Sequence, residues 1–196
     1  MVKKQRNRRS LRKNKNKSKK NKVRFLGVNS AGISSKLHSF KNVVNALQPS
    51  VFFIQETKLK RQGKLELDNF IIYELNRKKR NGGGLAIGVV EELKPVWISE
   101  GDDTTEVLVV EIDISGFKVR CVGGYGPQEK DAIEKKKLFW DKLSAEVYDA
   151  MENNAGFLLQ MDGNLWVGAL MLLKMIQIPV IQMGNFSKNS YSDSPT

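Results

Sequence analysis

The sequence predicts an α/β domain, a mixed sheet with helices on its faces. Three observations predict it. Apolar runs rich in β-branched and aromatic residues, the mark of buried strands, outnumber helical segments. The first two runs are separated by a helical segment whose length suits a parallel βαβ crossover. Several runs also end downstream on a polar residue, as strands do when their ends share one rim of a sheet.

Each element has its own warrant. Val23–Asn29 is the first strand, Ser30-Ala31-Gly32-Ile33 a loop, and Ser34 or Ser35 a helix cap. Leu37, Phe40, Val44 and Leu47 recur at helical spacing and give that helix one apolar face, which Pro49 ends. Val51–Glu56 is the second strand and Phe70–Leu75 the third. Arg77-Lys78-Lys79-Arg80 and Asn81-Gly82-Gly83-Gly84 read as a basic, flexible hairpin turn into a strand at Leu85–Val90. No Gly-Lys-Ser/Thr follows these glycines, which excludes a phosphate loop. Glu106–Ile114 and Phe117–Val122 form a hairpin about Ser115-Gly116. Asp131–Asn153 is a helix whose Phe139, Trp140, Leu143, Val147 and Ala150 face the core, and Phe157–Met161 is the last strand.

Charge divides the chain. Twelve of its 33 Lys/Arg lie in residues 1–22, which hold no Asp/Glu, so the other 21 balance the 21 acidic residues. The net charge of +12 therefore belongs to a tail, expected to be disordered and to serve as a nuclear address or a nucleic-acid-contacting arm. One cysteine and one histidine exclude an internal disulfide and a Cys/His zinc site, and point to a reducing compartment. No secretory signal is visible, and the apolar stretch Val167–Met183 is interrupted by Lys174 and Pro179. The expectation is an intracellular, nuclear protein with no membrane partner.

Four runs end on chemistry: Asn29, Glu56, Tyr125 and Asp162. An amide, a phenol and two carboxylates gathered on one rim would suit a divalent cation and a phosphate. Taken singly, each has a plainer reading: Asn29 as a turn residue, Glu56 as a solvated charge, Tyr125 as a packing aromatic, Asp162-Gly163 as a turn former. His38 reads as a helix-surface residue.

In order, Leu26-Gly27-Val28-Asn29-Ser30-Ala31-Gly32, Gln55-Glu56-Thr57-Lys58, Gly124-Tyr125-Gly126-Pro127 and Asp162-Gly163-Asn164 resemble the endonuclease/exonuclease/phosphatase (DNase I-like) superfamily. The likeness is greatest to the apurinic-type endonuclease domain of non-LTR retrotransposons, whose Asn-Gly-Gly-Gly run the chain also shares. It covers residues 23–168. It implies a four-layer α/β sandwich, of which about the first half is present, so that the inner face of the sheet lacks its partner. It implies a Mg²⁺ site, with Mn²⁺ as an alternative, at Glu56 and Asn29. Asn29 would also orient the phosphate or its water, Tyr125 would donate toward the scissile phosphate, Asp162 would position or deprotonate water, and Asn164 would donate to the developing charge. DNA is the implied partner, contacted by Lys3, Lys4, Arg6, Arg8, Arg9, Arg12 and Lys13 of the tail and by Arg77, Lys78, Lys79 and Arg80.

Departures set a limit. Met161 stands where members usually have Gly, and Gln128 where Asn is frequent. The late Ser-Asp-His motif that such enzymes need does not occur, and His38 lies in the wrong element to replace it. From residue 169 the text loses periodicity. The codons permitted for Leu170 to Pro179 can spell, in a displaced frame, a stretch similar to the one that follows Asp-x-Asn in retrotransposon endonucleases. Residues 169–196 are therefore expected to be a frameshifted, non-family tail. Two functions stay open: a metal-dependent DNA phosphodiesterase, weak or inactive in this chain, and a catalytically dead nucleic-acid-binding remnant.

Overall fold

The computed structural model describes residues 22–60, 63–78 and 82–162, and the backbone of 170–173. The basic segment 1–21 lies outside the described residues. The chain builds two sheets. In the first, β1 (Phe25–Asn29), β2 (Val51–Gln55), β3 (Phe70–Leu75) and β4 (Leu85–Val90) run in the order β1-β2-β4-β3. In the second, β5 (Val96–Glu100), β6 (Val107–Ile114), β7 (Phe117–Tyr125), β8 (Gly156–Asp162) and β9 (Leu170–Leu173) run in sequence order. The expected βαβ crossover is present: β1 and β2 are parallel, joined by α1 (Leu37–Leu47). A second crossover joins the parallel pair β7 and β8 through α2 (Ile133–Glu152). The other pairings are antiparallel.

The four layers follow from where apolar residues bury. Phe40 and Val44 of α1 pack on Leu26, Phe52, Ile54 and Ala86, the outer face of the first sheet. Phe52 meets Phe40 edge-on at 5.3 Å, and its ring covers Gly88, where a Cβ would lie 2.0 Å away. Phe139, Leu143 and Ala150 of α2 pack on Val107, Val109, Val122, Phe157 and Leu159, the outer face of the second sheet. Between the sheets, Phe25, Val51, Phe53, Ile87 and Val89 meet Leu108, Val110, Ile112, Cys121 and Leu158. The inner face of the first sheet is thus covered, which corrects the expectation that it lacks a partner. The strands from β5 onward do not extend the first sheet; they make the second and stack upon it.

Local corrections have local causes. Ser34 and Ser35 do not cap α1. They form a 3-10 turn in which Lys36 N–H donates to Ile33 C=O, and Lys36 holds the cap position without a side-chain bond. Trp140 is not core: it is 43% exposed and stacks edge-on against the buried Phe139. β7 runs three residues beyond Val122, because Gly123 and Gly124 stay in the ladder opposite Leu108 and Val107. β5 was not expected, and β9 falls within the segment expected to be a non-family tail. No helix among the described residues is long and apolar enough to cross a membrane.

Candidate active site

Two parallel pairs put two strand ends each on one rim. β1 and β2 end at the register pair Asn29 and Gln55, with Glu56 next in the chain. β7 and β8 end at the register pair Tyr125 and Asp162. The sheets come close here because β1 carries Gly27, whose missing Cβ leaves room for the Gln160 amide that would otherwise lie 2.6 Å away. Gln55 Nε2 then reaches the carbonyl of Gln160 at 3.4 Å, a bridge from sheet to sheet.

The four strand-end residues meet. Asn29 Nδ2 donates to Asp162 Oδ2 at 2.6 Å and lies 3.4 Å from Glu56 Oε1, so one amide links both carboxylates. Its orientation is set by its other end, since Asn29 Oδ1 accepts from Ala31 N–H at 3.0 Å. Tyr125 hydroxyl donates to Glu56 Oε1 at 3.2 Å. Lys58 Nζ lies 3.1 Å from Glu56 Oε2. Burial pushes the Glu56 carboxyl up, but bonds from Lys58, Asn29 and Tyr125 outweigh it and hold the group below its usual value of 4.5. The site therefore presents an ionised carboxylate at neutral pH.

Glu56 is aimed by its backbone. It leaves β2 at φ 50°, a left-handed conformation that a residue of this size seldom adopts. The neighbouring loop holds that turn: Gly32 N–H donates to Glu56 C=O at 2.8 Å, Ser30 Oγ to the same oxygen at 2.9 Å, and Ile33 N–H to Thr57 C=O at 2.9 Å. From the other side, Thr57 N–H donates to Gly84 C=O and Lys58 N–H to Gly83 C=O. The glycine run, expected to be a flexible turn, is a fixed part of this wall: Gly83 and Gly84 are buried, at φ 61° and 86°.

Other expected site residues fall elsewhere. Arg77 turns inward and pairs with Glu106, a carboxylate only 4% exposed that the sequence reading missed, while Lys78 is exposed. Asn164, Lys79, Arg80 and the tail cations Lys3, Lys4, Arg6, Arg8, Arg9, Arg12 and Lys13 lie outside the described residues. His38 is exposed on α1, its Nδ1 3.5 Å from Asn42 Nδ2. Among the described residues, no three His, Cys, Asp or Glu gather as a cation cage. The available donors are the carboxylate oxygens of Glu56 and Asp162, which fit an ion completing its shell with water and substrate phosphate, as Mg²⁺ does, while Asn29 turns its amide nitrogen to them and its oxygen to Ala31 N–H.

No family profile matches the sequence, and no curated protein does. Solved structures do match. The 3′-5′ exonuclease NExo from Neisseria meningitidis is 20% identical, with a TM-score of 0.55, over 71% of this chain and 57% of its own. The catalytic domain of APE2 from Xenopus laevis is 14% identical, with a TM-score of 0.57, over 71% of this chain and 58% of its own. TDP2 from Caenorhabditis elegans is 18% identical, with a TM-score of 0.53, over 71% and 60%. The fold of this chain is the DNase I-like endonuclease/exonuclease/phosphatase fold. The chain spans somewhat over half the length of these structures.

Proposed function

We propose that this chain carries the site of a divalent-metal-dependent DNA phosphodiesterase of non-LTR retrotransposon type. One observation carries the proposal: the Asn29 amide joins Glu56 and Asp162, contributed by different sheets, with the Tyr125 hydroxyl on the same carboxylate. A structural core would not need to gather these groups on a rim. The similar structure of the 3′ phosphatase NExo from Neisseria bound to product DNA hairpin supports DNA as the substrate class.

In this reading Glu56 and Asn29 hold Mg²⁺ or Mn²⁺, which supplies Lewis-acid polarisation of a phosphoryl oxygen. Asp162 accepts a proton from the attacking water at a carboxylate oxygen. Tyr125 donates its hydroxyl proton in a hydrogen bond to the scissile phosphate. Asn164 donates its amide to the charge that develops there. The basic segment 1–22 serves as a nucleic-acid-contacting arm or as a nuclear address, and residues 169–196 are of separate, frameshifted origin.

The alternative is a catalytically dead remnant that still holds nucleic acid. The position of His38 favours it, because the single histidine stands exposed on α1 and not on the rim. A supercoiled-plasmid nicking assay with and without EDTA separates the readings. The first expects Mg²⁺-dependent nicking that drops about 10²-fold or more in Glu56→Gln. Nicking equal in the parent and Glu56→Gln would refute it. No nicking, with DNA binding that weakens steeply as salt rises, would establish the alternative.

A further inference from the structure

Arg77 and the glycine run have a use that phosphate tracking does not explain. Arg77 Nε donates to Glu106 Oε1 at 2.6 Å, and Nη2 donates to the same oxygen. Glu106 Oε2 accepts from Gly84 N–H at 3.0 Å, and its main-chain carbonyl accepts from Tyr125 N–H at 2.9 Å. The guanidinium carbon then lies 5.6 Å from the centre of the Tyr125 ring, within reach of a cation–π contact. The glycines make the seat. A Cβ on Gly83 would lie 2.3 Å from Arg77 Cζ, and one on Gly84 would lie 2.4 Å from Thr57 Oγ1. The carbonyls of the same two glycines hold Lys58 and Thr57, beside Glu56.

We infer that Arg77, seated on Glu106, is a positioning residue that orients the Tyr125 ring and thereby aims its hydroxyl. Removing two charges from water is expensive, so a pair this buried is a poor device for stability alone. A planar cation held at two nitrogens is a good device for fixing a ring. Lysine keeps the charge and loses that plane. The inference rests on the proposed chemistry only for what the aimed hydroxyl does.

Two measurements test it. In ring-labelled NMR of the full chain, Arg77→Lys and Glu106→Gln should each move the Tyr125 resonances and speed its ring flips, leaving Tyr73 and Tyr148 unchanged. Tyr125 signals identical to the parent in a folded variant would overturn the inference. Glu106→Gln decides if Arg77→Lys does not fold. Mn²⁺ titration adds a cycle. Arg77→Lys should weaken Mn²⁺ binding about tenfold, with no further loss in the Tyr125→Phe background. Losses that multiply would mean that Arg77 acts independently of the tyrosine, and would overturn the inference. If the parent binds Mn²⁺ no better than Glu56→Gln, the metal reading falls and the ring signal alone decides.

Discussion

At the scale of single residues, burial decides reactivity as firmly as it decides packing. Cys121 is fully buried between the sheets, and burial pushes its thiol far up, so almost no thiolate forms at neutral pH. The folded chain should therefore resist a thiol reagent such as DTNB, and labelling should follow the unfolding curve in urea. Rapid labelling in the absence of denaturant would contradict the packing. The residues that end strands were legible in the sequence for a simple reason. Asn29, Glu56, Tyr125 and Asp162 each follow an apolar run, so a polar side chain there must sit on a rim. Arg77 and Glu106 were not legible. Arg77 opens a run of four cations, which reads as a solvated turn, and its partner lies 29 residues away with no local signature.

Elements carry the next set of effects. β3 is an edge strand of the first sheet, and its Glu74 reaches back to accept the Leu65 N–H at 2.5 Å. Burial raises the Glu74 carboxyl above its usual 4.5, more than the bonds from Leu65 and Asn76 and the Lys64 charge lower it. The folded state then binds the proton more tightly than the unfolded state. Its stabilising contribution is present in full below pH 4.5 and is lost as pH rises through the folded value. Glu74→Gln keeps the acceptor and removes the charge. Its melting temperature should exceed the parent's at pH 7 and match it near pH 4, and an equal gain at both would refute the linkage. Most elements were legible from period and composition. β5 was not, because Val96 and Trp97 are exposed and its pairing with β6 slips between Trp97 and Ser99, which breaks the alternation. The sequence reading carries the hairpin strand only to Val122, although the apolar run it belongs to continues through Gly123 and Gly124 to Tyr125. The two glycines stay in the strand because Ile87 and Met161 fill the space beside them.

For the whole molecule, the sequence shows strands but not which sheet each joins; two stacked sheets and one wide sheet share one pattern of alternation. The choice appears in partnerships between distant residues. Arg120, 5% exposed on β7, faces Glu111 of β6 and Glu146 and Asp149 of α2. Lys142 and Ser99 also bond Glu146, which fastens the outer helix to the second sheet. Arg120→Ala removes the cation these three carboxylates share, leaving Glu146 to Lys142 and Glu111 to Lys118, and should cost about 1–3 kcal/mol in urea unfolding. A loss below about 1 kcal/mol would mean that α2 is held by its apolar face alone. The bond from Asn29 to Asp162 has a kinetic meaning of its own. It joins residues 133 positions apart, so it closes one of the longest loops in the described chain. During synthesis, β1, α1 and β2 can assemble while β8 is still unmade, but both carboxylates cannot be brought together until Asp162 has been translated. Formation of the site therefore follows the synthesis of β8, and a signal from the rim would time the closure of that loop.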